Sequence, residues 1–336
     1  MQTIFRAFFI FMDIQPIISS ALFKDSKLVE QIPIITIDNK VVATYENAIC
    51  ISGLPKSRKT TFISYFIASA ILKKPIFNIS VNIETQDKIV LIDTEQSIYD
   101  FTKQISFLKY NLKSKNVPNQ LKAYLFRKYE PNVILECISE IMKEHKPKIL
   151  ILDNTTELVY NPNDMGESKK LIQFIKLITT EYNCIVICLL HLSKSNLTTL
   201  GNIGSYMDRM AQTVLKVTMD KETGYSTMEA NLMRSDSFFN PITIGYNENL
   251  KNYEQIDNFD YNKKPKKFNM VDFSDKDHIN RLGSIFNNID EISYTELIEE
   301  LKRLYGVGTN ISKQQILPYL RTNRLIKQNK NLNYTL

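Results

Sequence analysis

The sequence predicts an α/β fold: a mainly parallel sheet flanked by helices, followed by a small C-terminal winged helix-turn-helix domain. Three observations point there. From about Asn39 to Glu248, short apolar β-branched runs alternate with longer stretches of helical period. The first four of these runs each end at a polar residue, as strands that open onto one crevice do. Beyond residue 275 the pattern changes to three short helical periods and a terminal polar alternation.

The strand candidates are NAICIS, KIVLID, KILILD, NCIVICLLH, QTVLKVTM, STMEANLM and PITIGY. With 336 residues, 43% of them hydrophobic and 23% charged, the chain can bury one large core and one small one. A formal net charge of +6 suits contact with a polyanion without requiring it. Cys50, Cys137, Cys184 and Cys188 lie mostly in apolar runs without paired ligand spacing and read as reduced core thiols, which predicts a cytoplasmic protein. Three histidines leave no zinc cluster, so any metal is expected to arrive with a nucleotide. The apolar start runs only from Ala7 to Phe11, too short to span a bilayer, and Met12 is the expected alternative to Met1 as first residue.

The first motif follows the first strand. In ISGLPKSRKTTFISYF, Gly53 is followed after four residues by Arg58-Lys59-Thr60, where a phosphate-binding loop has Gly-Lys-Thr, and an apolar helix begins at once. Backbone N–H groups at such a helix start, with the macrodipole behind them, bind phosphates. Gly53, Lys56, Ser57, Arg58, Lys59, Thr60 and Thr61 would form the cradle. Lys59 would reach the β and γ phosphates, Thr60 would ligate magnesium, and Gly53 would supply the tight turn. If the loop is left-handed at Arg58, a non-glycine residue there costs about 1 kcal/mol. Lys56 and Arg58 would add positive charge near a triphosphate; the alternative is a basic loop-to-helix turn without a ligand.

Three further strand ends carry chemistry. Glu95 in KIVLIDTEQS lies two residues past a strand, where a carboxylate can polarise a water for attack on a γ-phosphate; a solvated loop acid is the alternative. Asp153 closes KILILD as a magnesium-holding acid would, although buried strands often end in Asp. His191 ends the fourth strand, placed to hydrogen-bond a γ-phosphate or to serve structure alone.

On these residues, in this order, the segment Gly53 to Asn247 resembles the RecA-like ATPases. The likeness is to the RepA-like and DnaB-like helicase branch, and most to the ATPases carried by Bacteroidetes mobilizable elements. The phosphate loops of that group often read KSRKT, as Lys56 to Thr60 do here. The resemblance implies ATP and Mg2+ as cofactors, with Lys59 on the phosphates, Thr60 and Asp153 on magnesium, Glu95 as catalytic glutamate and His191 as γ-phosphate sensor. It implies a homo-oligomer, a hexamer in related helicases, in which Arg234 reaches a neighbour's site as a finger; pairing with Asp236 is the surface alternative. Gly204 and Ser205 match a pair that opens a helix beside a DNA-facing loop. Ile203 stands where the family has arginine, and Lys194 and Arg209 are the nearby cations.

Residues 1–38 read as an N-terminal extension, 39–248 as the ATPase domain, 249–275 as a basic polar linker containing Lys263 to Lys267, and 276–336 as the winged-helix domain. Ser312 is expected to cap the third helix, which would direct Lys313, Gln314 and Gln315 at base edges. Arg321, Arg324, Lys327 and Lys330 would meet phosphates. A winged domain that contacts only protein is the alternative.

Together these features predict a DNA-dependent ATPase, a helicase or helicase-like motor, with DNA as partner and no membrane; the resemblance implies a place in replication or mobilization of a mobile genetic element. The competing readings are an ATP-switched DNA-binding regulator or loader without translocation and, ranked below it, a small-molecule phosphotransferase.

Overall fold

A computed structural model of the chain describes residues 15–21, 31–192, 201–257, 273–287, 289–305, 307, 312–330 and 332–336. It divides into two units, Met1–Asp257 and Asn258–Leu336. Met12 and the apolar stretch before it, Lys194, and Lys263 to Lys267 lie outside the described residues.

In chain order the first unit holds α1 (Gln15–Ala21), β1 (Ile35–Ile37), β2 (Lys40–Ala43), β3 (Ala48–Gly53), α2 (Lys59–Leu72), β4 (Ile79–Val81), β5 (Ile89–Asp93), α3 (Ile98–Asn111) and β6 (Leu121–Leu125). There follow α4 (Pro131–His145), β7 (Ile149–Asp153), α5 (Met165–Glu181), β8 (Ile185–His191), α6 (Gly201–Met210), β9 (Thr213–Met219), β10 (Ser226–Met233), β11 (Ile242–Asn247) and β12 (Asn252–Gln255).

Nine strands form one sheet in the order β12-β11-β10-β9-β3-β8-β7-β5-β6. From β9 to β6 all pairings are parallel, and β10, β11 and β12 add antiparallel strands at one side. The expected mainly parallel α/β sheet is therefore present. A separate three-stranded sheet, β2-β1-β4, packs into the same core.

The parallel strands read as unbroken apolar runs because both faces are covered. Alternate residues enter two different cores: Ile49, Ile51, Ile185, Ile187 and Leu189 on one face, Cys50, Val186, Cys188 and Leu190 on the other. Helix α2 supplies Phe62, Ile63, Tyr65 and Phe66 to the first core. Helices α4 and α5 supply Ile138, Met142, Leu171 and Ile175 to the second. Cys184 and Cys188 remain thiols, and burial pushes each up to about 12.

All seven predicted strands form. Two predicted boundaries move. Ile35 and Ile37 of β1 are fully buried, so the core reaches back into the segment read as an extension. Asn252–Gln255, read as linker, is instead the edge strand β12, paired with β11 from Ile244↔Gln255 to Asn247↔Asn252. Its residues are all half-buried, and its stability comes from backbone pairing, which leaves no apolar signature. Edge strand β6 escaped the sequence reading for the same reason.

The second unit contains α7 (Asp275–Phe286), α8 (Tyr294–Tyr305), a π-helical turn at Ser312–Ile316 that runs into α9 (Leu317–Thr322), and a hairpin of β13 (Lys327–Gln328) with β14 (Tyr334–Thr335). Leu282, Leu297, Leu301, Ile316, Leu320 and Tyr334 form its core. Ser274 and Asp277 close a capping box on α7. Ser312 does not stand outside the third helix as a cap; it is the buried first residue of the π-helical turn. Among the described residues no helix is long and apolar enough to cross a membrane.

Ile187 is fully buried in β8 between the covering layers, so Ile187→Ala should lower the unfolding free energy by about 2–5 kcal/mol in denaturant melts. A loss under about 1 kcal/mol would contradict this packing.

Candidate active site

Strand register gathers the site. Gly53 of β3 pairs with His191 of β8 on one side and with Val217 of β9 on the other, while Asp93 of β5 pairs with Asp153 of β7. Four strand ends thus meet along one edge, where α2 begins at Lys59.

Gly53 does not take a left-handed φ, and the chain turns just after it, where Ser57 N donates to the Leu54 carbonyl at 3.2 Å. The glycine is needed for close approach: a Cβ there would lie 2.5 Å from the Val217 carbonyl oxygen and 2.6 Å from Ser57 Oγ. Lys56 and Arg58 are the left-handed residues of the loop, with φ of 66° and 72°. Lys56 is exposed and Thr61 half-buried.

The loop lysine turns back over the strand end. Lys59 Nζ donates to the carbonyls of Gly53 at 3.0 Å and Leu54 at 3.3 Å, and lies 3.3 Å from His191 Nδ1. Burial lowers its pKa, opposed by the charges of Asp153 and Glu95. Thr60 Oγ1 donates to Asp153 Oδ2 at 2.8 Å. Asp153 is itself pushed up to about 7, first by burial and then by the neighbouring Asp93 charge, with the Thr60 hydrogen bond and Lys59 pulling the other way.

Glu95 sits across from this pair. His191 Nε2 lies 3.1 Å from its Oε2 and Asn154 Nδ2 donates at 3.5 Å. The His191 hydrogen bond holds the Glu95 carboxyl below the usual range, against partial burial. An ammonium has no acceptor, so the chain Lys59–His191–Glu95 requires Nδ1 of the imidazole to accept and Nε2 to carry the proton.

Asp93 was missed in the sequence, where it looks like an ordinary strand-end acid. Its carboxylate accepts from the backbone N–H groups of Glu95 (3.0 Å) and Gln96 (2.8 Å) and from the Gln96 amide, so it shapes the turn that carries Glu95. Thr94 adds a second clasp, exchanging hydrogen bonds with the backbone of Asn154 at 3.0 Å. The Asp153–Asn154 peptide bond is cis.

The donor set fits a nucleotide phosphate chain with magnesium. Ser57 Oγ is buried at the loop without a hydrogen-bond partner, and a buried ammonium and a helix start lie beside it. Thr60 and Asp153 offer the oxygen ligands a small hard cation takes. A cleft of about 620 Å3 opens beside the loop, lined by Arg58, Thr60, Thr61, Asp100, Tyr246 and Tyr253 among others.

No protein-family model matches the chain, and no curated protein does either. The site therefore stands on its own geometry.

The remaining predicted residues fall elsewhere. The Arg58 guanidinium engages Gly224 and Ser226 through Nη1 and lies 5.1 Å from the centre of the Tyr253 ring. Exposed Arg234 lies at the opposite end of the sheet, where its backbone N–H meets the Gln212 carbonyl at 3.0 Å and Nη2 the Arg209 carbonyl at 3.1 Å. Asp236 does not pair with it; it accepts from Val41 N at 3.1 Å and lies 3.6 Å from Lys40. Gly204 and Ser205 lie inside α6 rather than opening it, and Ile203 is fully buried. Arg209 bonds back to Ser205. In the second unit Lys313, Gln314, Gln315, Arg321, Arg324, Lys327 and Lys330 are all exposed, with Lys313 Nζ 5.8 Å from the Tyr294 ring centre.

The raised Asp153 pKa sets a pH dependence. A carboxyl that titrates near 7 when folded and near 4 when unfolded favours the fold at low pH and loses that contribution as pH rises between these values. Asp153→Asn, which can still accept from Thr60, should therefore stabilise the unliganded protein relative to the parent at pH 8 by on the order of 2–4 kcal/mol, and hardly at pH 4. Melting curves of both proteins at the two pH values check it; a difference that does not grow with pH would refute it.

Proposed function

We propose that the chain is a magnesium-dependent ATPase of the RecA-like class that acts on DNA as an oligomer, a helicase or helicase-like motor of a mobile genetic element. The observation that carries this reading is the 2.8 Å hydrogen bond from Thr60 to Asp153, formed directly beside Lys59 at the start of a helix. A hydroxyl from the first turn of a helix and a buried acid from a strand end, held together next to a buried ammonium, are what a metal–triphosphate complex requires and what a purely structural turn does not. The strand order supports the class, with its parallel centre and antiparallel side.

Lys59 would hold the β and γ phosphates, and Thr60 and Asp153 would hold magnesium, which neutralises phosphate charge when bound. Glu95 orients the attacking water and takes its proton, a task suited to a carboxylate held ionised by its neighbours. His191 bonds Glu95 and stands beside Lys59, so it links the base to the phosphate end of the loop. Arg234, exposed and far from the site of its own chain, serves a neighbour's site.

The second unit acts as a winged helix. Lys313, Gln314 and Gln315 face base edges, and Arg321, Arg324, Lys327 and Lys330 contact phosphates. The His191–Glu95 contact also favours a second reading, a DNA-binding regulator that ATP switches without translocation, because a base already engaged turns over slowly.

ATP hydrolysis with magnesium, with and without single- and double-stranded DNA, tests the proposal. The expected result is DNA-stimulated turnover that Lys59→Ala and Glu95→Gln each reduce at least about a hundredfold. Tight ATP binding without turnover would favour the switched regulator, and absence of nucleotide binding would refute both. Arg234→Ala should lower turnover per subunit by several powers of ten without weakening ATP binding comparably, and turnover in the parent should fall on dilution to monomers. Turnover that stays constant through a proven dissociation would reject the finger.

A further inference from the structure

Arg58 occupies a backbone conformation that favours glycine, with φ 72° and ψ 29°, at the residue that opens α2. Its side chain is engaged on three elements outside the loop. The guanidinium donates to the Gly224 carbonyl in the turn between β9 and β10, and to Ser226 Oγ at 3.0 Å where β10 begins. It also lies 5.1 Å from the centre of the Tyr253 ring on edge strand β12. Tyr253 in turn meets Phe107 of α3 and Tyr246 of β11 edge-to-face.

The partners are themselves ordered. Asp220 holds the β9–β10 turn through the N–H groups of Glu222 and Thr223, and Gly224 takes φ 70° to present its carbonyl. A planar fork with a delocalised charge can satisfy a carbonyl, a hydroxyl and a ring face at once, which a lysine cannot. The arginine thus fastens the phosphate loop to the antiparallel side of the sheet.

We propose that Arg58 is a positioning residue that ties the phosphate loop to the antiparallel side of the sheet, coupling nucleotide binding to the Gly224 turn and strand β12. The proposal deepens the nucleotide-site reading and rests on it. A glycine at position 58 relieves the backbone and releases the tie, so the substitution that brings the loop closer to the common Gly-Lys-Thr pattern weakens binding. The coupling is reciprocal: what moves β12 or the turn changes nucleotide affinity, and nucleotide in the loop orders both.

Two measurements on the full chain test this. One is backbone amide hydrogen exchange of residues 54–61 without nucleotide; the other is calorimetric titration with ADP and magnesium. Arg58→Gly should speed loop exchange and weaken ADP binding about tenfold, equivalent to about 1.4 kcal/mol. Ser226→Ala, which leaves the loop sequence intact, should shift both in the same direction by about threefold to fivefold. Adding it to Arg58→Gly should change nothing further, because the shared contact is already gone. Arg58→Lys should fail to restore affinity.

Unchanged loop exchange in Arg58→Gly and Ser226→Ala, or full ADP affinity in Arg58→Gly, overturns the tie. Full affinity in Arg58→Lys replaces it with charge alone. Failure of the unaltered chain to bind ADP overturns the nucleotide reading and the coupling to it, while the exchange comparison still decides whether the loop is fastened.

Discussion

Strand β3 is pinned on both sides by parallel pairing, and the register of that pairing sets Gly53, and with it the loop and Lys59, beside His191. Gly53 stands opposite His191 and opposite Val217 at once. The approach to Val217 is too close for a Cβ, so the loop must leave the strand at a glycine. From there the chain turns into α2, and Lys59 can fold back over Gly53 to reach His191. Because side chains alternate across a strand, a one-residue slip would reverse both cores. Ile49 and Ile51 face one core and Cys50 the other, so burial and site geometry enforce the same register.

The charges at this edge are balanced against burial rather than against water. Asp93 and Asp153 lie side by side on neighbouring strands, and burial raises both carboxyls. Lys59 is lowered by the same burial. Each is nevertheless hydrogen-bonded within the cluster: Asp93 by the backbone of Glu95 and Gln96, Asp153 by Thr60, and Lys59 by the Gly53 and Leu54 carbonyls. The neighbouring contacts that hold Glu95, from His191 and Asn154, keep it ionised at the rim of the buried cluster.

The antiparallel strands give the loop a second support. Through Arg58 the loop touches a turn and an edge strand that lie more than 160 residues away in sequence. These contacts offset the left-handed backbone at Arg58, a cost of about 1 kcal/mol against a hydrogen-bonded fork and a ring contact. The aromatic series Phe107–Tyr253–Tyr246 then joins that edge to α3.

The sequence by itself determined the central strands, because a strand covered on both faces must be a continuous apolar run, and it marked their polar ends at Asp93, Asp153 and His191. It also placed Lys59 and Thr60 at a helix start, since an apolar run of helical length begins there directly after the strand and its turn. Local pattern could not reveal the edge strands β6 and β12, which are mostly half-buried and lack an apolar run, or the small sheet, whose strands are only three or four residues long. Nor could it separate Asp93 from any strand-end acid, or show that Arg58 turns toward Gly224 and Tyr253. Those roles depend on which strand ends are neighbours, and only the assembled sheet decides that, because residues far apart in the chain become adjacent through register.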